Sequence, residues 1–166
     1  MDIPQLETPR LRLRAQRLED FAPYAAFLAS PRATGMGGPF GEVAAWGQFC
    51  HDLASWRLFG HGALMVERRD SGACIGQVGI NHGPLFPEPE LGWLLYAGQE
   101  GQGFASEAAA ALRDWAFDVR GLPTLVSYMA PDNAASAAVA RRLGGVLDRQ
   151  ARRTDPDDLV FRYYRR

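Results

Sequence analysis

The stretch from Glu90 to Ala116, ELGWLLYAGQEGQGFASEAAAALRDWA, constrains this chain more than any other. Leu91 to Leu95 has the length and apolar density of a buried strand. Three glycines between Gly98 and Gly103 end it, and a helix follows. In that helix Phe104, Ala108, Ala111, Leu112, Trp115 and Val119 recur on one side while Glu107, Asp114 and Asp118 fall on the other. A glycine turn that runs straight into a helix leaves the first helical N–H groups without partners. Such an end attracts anions, and Gly101 and Gly103 lack the Cβ that would keep a phosphate away from the backbone between Glu100 and Ser106. A phosphate or pyrophosphate is the implied ligand. A plain strand-to-helix turn is the alternative reading of the same glycines.

Spacing separates the phosphate loops. A Walker A loop needs GxxxxGK[ST], and the chain has no lysine, which excludes it. A dinucleotide fingerprint needs Gly or Ala at the sixth position, where Ser106 stands, and no N-terminal βαβ unit surrounds the loop. Gly101-Gln102-Gly103-Phe104-Ala105-Ser106-Glu107-Ala108 instead resembles the acyl-CoA loop of the GNAT N-acetyltransferases, in the branch that includes the ribosomal-protein N-terminal acetyltransferases. There the loop typically reads W-G-x-G-[YF]-A-[TS]-E-A. The resemblance covers nearly the whole chain. Leu6 to Arg14 is similar to that branch's opening strand, Glu90-Leu91-Gly92-Trp93 precedes the loop, and Asn133-x-x-Ser136 with Arg142-Leu143-Gly144 is similar to the family's N-x-x-S helix and its closing L-G. Three positions depart from the pattern. Glu100 stands where an aromatic, Gln or Arg usually precedes the first loop glycine, Gly145 replaces the usual Phe, and Ala140 occupies the place of a tyrosine that many of these enzymes use as general acid.

The resemblance implies acetyl-CoA as co-substrate, held by Trp93, Leu94, Leu95, Glu100, Gly101, Gln102, Gly103, Phe104, Ala105, Ser106, Asn133 and Ser136. The acetyl acceptor it implies is an amine, either a protein N-terminus or a small molecule. The chemistry sets its own requirements. The amine must lose a proton, the carbonyl oxygen must be held while it carries charge, and the thiolate must be reprotonated. Direct attack in a ternary complex needs no covalent nucleophile. If CoA runs from the loop back along Leu95, Leu94 and Trp93, its thioester ends near Gly92 and Glu90. Glu90 is then the candidate general base, acting directly or through a water; a salt-bridged or solvated glutamate is the alternative. Asn133 and Ser136 lie one helical turn apart. With Ala140 at the tyrosine position, Ser136 is the candidate to protonate the thiolate, and N-capping is the alternative role for this pair. Two other functional classes stay open: a non-catalytic acyl-CoA-binding module, motivated by Ala140 and Glu100, and a nucleotide-binding or structural α/β domain whose glycine loop is only a turn.

The 166 residues, 47% hydrophobic and 22% charged, fit one domain spanning residues 1–166. A net charge of -1 gives no broad attraction to nucleic acid or membranes. No apolar run reaches ~18 residues and no signal-peptide pattern follows Asp2, so a soluble cytoplasmic protein is expected. Cys50, Cys74, His51, His61 and His82 show no ligand spacing, and neither a disulfide nor a metal is expected. The expected partners are acetyl-CoA and the acceptor amine, with a homodimer left open. All 18 basic residues are arginine. Arg10, Arg12 and Arg14 alternate with Leu11 and Leu13 and read as the solvated face of a strand with no further role.

Periodicity and turn residues set out the remaining elements. Strands are expected at 11–14, 63–68, 74–80, 91–95, 124–129, 146–149 and 159–164. Helices are expected on Leu18, Phe21, Ala25 and Leu28, on Val43, Trp46, Phe49, Cys50, Leu53 and Trp56, after Gly103, and after Asn133. The order β-α-α-β-β-β-α-β-α-β-β calls for a mixed α/β sheet with helices on its faces. The resemblance implies the same thing, a GNAT-like acyl-CoA N-acyltransferase fold.

Overall fold

A computed structural model describes residues 2–165. Residues 1 and 166, the ends of the expected domain, lie outside the described residues. The elements in chain order are β1 (Leu6–Glu7), β2 (Leu11–Arg14), α1 (Phe21–Leu28), α2 (Glu42–Phe59), β3 (Ala63–Arg68), β4 (Cys74–Asn81), β5 (Glu90–Leu95), α3 (Phe104–Asp118), β6 (Thr124–Met129), α4 (Ala134–Arg142), β7 (Val146–Leu147) and β8 (Leu159–Tyr164). The strands make one sheet in the order β1-β2-β3-β4-β5-β6-β8-β7. Every neighbouring pair is antiparallel except β5 and β6. This is the expected mixed sheet, and its one parallel seam falls beside the glycine loop.

Alternation along the strands divides the core in two. On one face Leu11, Leu13, Leu64, Val78, Leu91, Leu125 and Phe161 pack under Phe104, Leu112 and Ala116 of α3 and Ala137 and Ala140 of α4. On the other, Leu94 packs against Tyr24, Phe27 and Leu28 of α1 and Ala45 and Phe49 of α2. Each large apolar side chain withdrawn from water contributes about 1.5–3 kcal/mol, so the two clusters clamp β5 from both sides. Among the described residues no helix is long and apolar enough to cross a membrane.

The structure corrects three expectations. The buried face of α2 carries Ala45, Phe49, Asp52, Ser55 and Trp56, while Val43, Trp46 and Leu53 are exposed. Apolar residues stand on both sides of this helix, and two polar ones stand inside, so periodicity alone selected a face rotated from the true one. Leu18 is also exposed, in a 3-10 turn ahead of α1. Arg14 is buried and not solvated. Its Nη1 and Nη2 donate to Asp20 at 2.7 and 2.9 Å, and its Nε donates to Glu67 at 2.7 Å.

Asp52 explains how α2 tolerates its polar inner face. Its Oδ2 accepts from Tyr24 Oη of α1 at 3.2 Å and from Gln77 Nε2 of β4 at 3.0 Å, which ties three elements to one atom. Burial pushes the Asp52 carboxyl up to about 7, with the Gln77 and Tyr24 bonds opposing the shift. The fold therefore favours the protonated acid. The stability this group contributes is complete below pH ~4 and is lost as pH rises toward 7. Asp52→Asn keeps the acceptor oxygen without the charge. Urea denaturation is expected to show the variant gaining about 2 kcal/mol over wild type on going from pH 5 to pH 8; parallel pH profiles would contradict this.

Candidate active site

The site begins where the parallel ladder stops. Glu90 of β5 is in register with Val126 of β6, the only registered pair between these strands, and the Val126 N–H donates to Pro89 O at 3.0 Å. If the ladder continued, the N–H of Tyr128 would donate to the Leu91 carbonyl. Side chains take over instead. Ser127 Oγ donates to Leu91 O at 2.5 Å, and Tyr163 Oη of β8 donates to Ser127 Oγ at 3.0 Å. With the Leu91 carbonyl diverted in this way, β6 diverges from β5 and a gap opens between them.

One edge of that gap is a row of backbone groups. Even-numbered residues of β5 direct theirs to β4, as the bond from Tyr96 N–H to Ile75 O at 2.8 Å continues to show. Odd-numbered residues face the gap, where Trp93 and Leu95 have no strand opposite. Their side chains pack, half-buried, under α3. Leu94 does not join them. Its side chain is buried in the α1/α2 cluster, and its carbonyl points at Gly76 of β4.

Beyond β5 lies the glycine loop. Gly98, Gly101 and Gly103 have φ of +82°, +74° and +82°, a region that other residues enter only at a cost of about 1–2 kcal/mol. Gly103 is the N-cap of α3 and offers no side-chain cap. The first helical bond runs from Glu107 N–H to Gly103 O at 3.0 Å, which leaves the N–H groups of Phe104, Ala105 and Ser106 without helical acceptors. Ser106 Oγ is buried with no hydrogen-bond partner. Phe104 offers its backbone only, because its side chain is in the core. Gly101, Gln102 and Gly103 are exposed, and Ala105 is half-buried. Glu100 is ion-paired with Arg32, from a 3-10 turn at Pro31–Met36. In the same turn, a Cβ on Gly35 would stand 3.6 Å from Asn133 Nδ2. The turn thus touches the loop after β5 and the cap of α4 after β6, one on each side of the gap.

Asn133 caps α4, its Oδ1 accepting from Ser136 N–H at 3.1 Å, and Ser136 is half-buried. The capping alternative therefore holds for Asn133. Ala140 is fully buried, and its carbonyl accepts the Gly145 N–H at 2.9 Å. A Cβ on Gly145 would lie 2.8 Å from both that carbonyl and Tyr163 Cε1, so glycine at 145 follows from the close packing of β8 under α4.

By strand alternation Glu90 points to the α1/α2 side of the sheet, across from α4. It is half-buried, and its Oε2 accepts from Asn81 Nδ2 at 3.0 Å. Burial pushes its carboxyl above the usual carboxylate range, and the bond from Asn81 offsets only part of the shift. Tyr128, next to it on β6, has a buried hydroxyl with no hydrogen-bond partner, which burial pushes up to about 12. Sequence reasoning missed Tyr128. The alternation of β6 from a buried Val126 was the available signal. Among the described residues no three His, Cys, Asp or Glu side chains gather as metal ligands.

Known proteins share this fold. Residues 10–146 match the family model described as Acetyltransferase (GNAT) domain. The crystal structure of an acetyltransferase from Agrobacterium tumefaciens str. C58 is 62% identical, covers 99% of this chain and 96% of its own, and superposes with a TM-score of 0.96. Uncharacterized protein YkkB of Bacillus subtilis (strain 168) is 30% identical over 88 residues, 52% of this chain; the match spans about half, 51%, of that relative's length. RimL, a ribosomal L7/L12 α-N-protein acetyltransferase solved in complex with coenzyme A, is 20% identical over 95% of each chain and shares the fold with a TM-score of 0.73.

The side-chain bonds at the head of the gap are open to direct test. Ser127→Ala leaves the buried Leu91 carbonyl without its donor and is expected to cost about 1–3 kcal/mol in urea denaturation, with Tyr163→Phe costing about 0.5–1.5 kcal/mol. An unchanged Ser127→Ala stability would mean that the Tyr128 N–H takes the carbonyl back and that the gap does not depend on Ser127.

Proposed function

The chain belongs to the GNAT acetyltransferases, and on that footing we propose that it transfers the acetyl group of acetyl-CoA to an amine by direct attack in a ternary complex. The observation that carries this reading is the union of two features at one place: a strand edge with unpaired backbone groups at Trp93 and Leu95, and an uncapped helix end a few residues further on. An acyl-CoA has the matching parts, two amides in the pantetheine arm and a diphosphate beyond them. The diphosphate sits on the N–H groups from Gly101 to Ser106, with Ser106 Oγ as a further donor. Arg32 neutralises Glu100 beside it, which removes the objection that a carboxylate next to the loop would raise. The coenzyme A bound by RimL supports the same choice of ligand.

With the arm along β5, the thioester lies at the head of the gap, close to Leu91 and Gly92. An amine arriving from the α1/α2 side meets Glu90, the proposed base, which takes its proton directly or through a water. Nitrogen adds to the carbonyl carbon, the C–S bond breaks, and the thiolate takes a proton from Ser136 or a water held by it. The acceptor is a protein N-terminus or a small-molecule amine. Ala140 favours a second reading, an acyl-CoA-binding module without turnover. Titration with acetyl-CoA followed by thiol release across a panel of amines and peptide N-termini separates the two. Amine-dependent release supports the transferase, and binding without release from any amine supports the module.

Glu90→Gln keeps the bond from Asn81 and removes the proton acceptor. Its kcat is expected to fall by ~10²–10⁴-fold with acetyl-CoA affinity retained. The base acts as the carboxylate, so the wild-type rate rises with pH through the Glu90 pKa, which burial places above the ordinary range. A loss of less than about threefold with an unchanged pH profile would make Glu90 structural. The proposed chemistry uses no metal, and turnover is expected to survive EDTA; loss on chelation with recovery on adding zinc would overturn the mechanism.

A further inference from the structure

Away from the gap, one group of side chains joins the start of the chain to the glycine loop. Glu107, in the first turn of α3, accepts Thr8 Oγ1 at 2.6 Å and the Arg10 N–H at 2.9 Å on Oε1, and Arg10 Nε at 2.7 Å on Oε2. Arg10 Nη1 then donates to the Gln102 carbonyl at 2.8 Å. The guanidinium lies over the Phe104 ring, 4.6 Å from its centroid. One arginine therefore touches the loop backbone, the first residue of α3 and the carboxylate of the first turn. Neither role shows in the sequence, where Glu107 falls on the polar side of the helix and Arg10 alternates with leucines.

The bond to Gln102 has a geometric consequence. In a trans peptide the C=O and the following N–H point in opposite directions. Arg10 draws the Gln102 carbonyl toward the N-terminal strand, so the Gly103 N–H points the other way, to the side where Phe104, Ala105 and Ser106 present theirs. A Cβ on Gly103 would stand 3.3 Å from Arg10 Nη2, so the arginine packs on one side of the loop and leaves the other to a ligand. Glu107 would by itself set a negative charge close to a bound anion. Its three bonds turn that charge back to Thr8 and Arg10.

We propose that Arg10 and Glu107 are positioning residues for the acyl-CoA diphosphate, holding the Gln102–Gly103 peptide with its N–H toward the ligand and screening the helix end from the Glu107 charge. This rests on the reading of the loop as the diphosphate site. It makes the turn between β1 and β2 part of co-substrate recognition, because Thr8 and Arg10 are distant in sequence from the loop they hold. It also states where discrimination arises between acyl-CoA and thioesters that lack a diphosphate.

CoA and pantetheine, titrated by NMR into wild type, Arg10→Ala and Arg10→Gln, which both free the Gln102–Gly103 peptide and leave the Glu107 charge unscreened, test it without need of the acceptor. Wild type is expected to bind CoA about a hundredfold more tightly than pantetheine. Each variant is expected to weaken CoA about tenfold or more and to leave pantetheine within about twofold. Equal wild-type affinity for the two ligands would sink the diphosphate reading itself. A wild-type preference that both variants preserve, or an equal loss for both ligands in the variants, would overturn the positioning role while leaving that reading intact. If Arg10→Ala fails to give a native circular-dichroism spectrum, Arg10→Gln, which keeps the side-chain stem, decides by the same ratio.

Discussion

The hydrogen bond from Ser127 Oγ to the Leu91 carbonyl is the constraint on which the site depends. A parallel sheet closes by repeating one backbone bond, and here that repeat is interrupted after Val126 by a side chain that takes the next acceptor. The Leu91 carbonyl is not left bare and so escapes the penalty of about 1–3 kcal/mol for a lost bond. Tyr163 keeps Ser127 aimed. Its hydroxyl, pushed up to about 12 by burial, stays a neutral donor across the working pH range. A strand edge, ordinarily a liability, is here left open in the gap, where the proposed acyl-CoA would place its amides.

The rest of the chain converges on the two sides of this gap. From the α1/α2 side, the Pro31–Met36 turn reaches Glu100 after β5 and Asn133 after β6. As a surface ion pair Arg32–Glu100 contributes little to stability, about 0–1 kcal/mol; its effect lies in cancelling charge beside the proposed diphosphate site. From the α3 side, the turn between β1 and β2 holds the loop through Arg10 and Glu107. The core residues keep β5 rigid between these contacts. Leu91 is locked under α3 and Leu94 against α1 and α2, so the gap-facing groups of Trp93 and Leu95 are fixed by packing on both faces.

What the sequence made legible was local. The glycine loop and α3 could be read because an uncapped helix end after glycines is a property of consecutive residues, and the strands because alternation and turns are equally short-range. The face of α2 could not. Its inner side contains Asp52, whose burial depends on Tyr24 and Gln77 from two other elements. The role of Arg10 was hidden for the same reason, since its partner is Glu107, and the burial of Arg14 depends on Glu67. Leu94 belongs to the same apolar run as Trp93 and Leu95, and only strand pairing shows that the odd-numbered residues face the gap. Tyr128 and Ser127 were read only as strand residues because their importance comes from a ladder that stops, which no single strand reveals.

Amide hydrogen exchange with and without CoA tests the central claim most directly, that the ligand lies along the free edge of β5 with its diphosphate on the start of α3. Slower exchange on binding is expected at Trp93, Leu95 and the amides from Gly101 to Ser106, with the β4-facing amides of Gly92 and Leu94 unchanged. Protection confined to other surfaces, with Trp93, Leu95 and the loop amides exchanging as before, would contradict it.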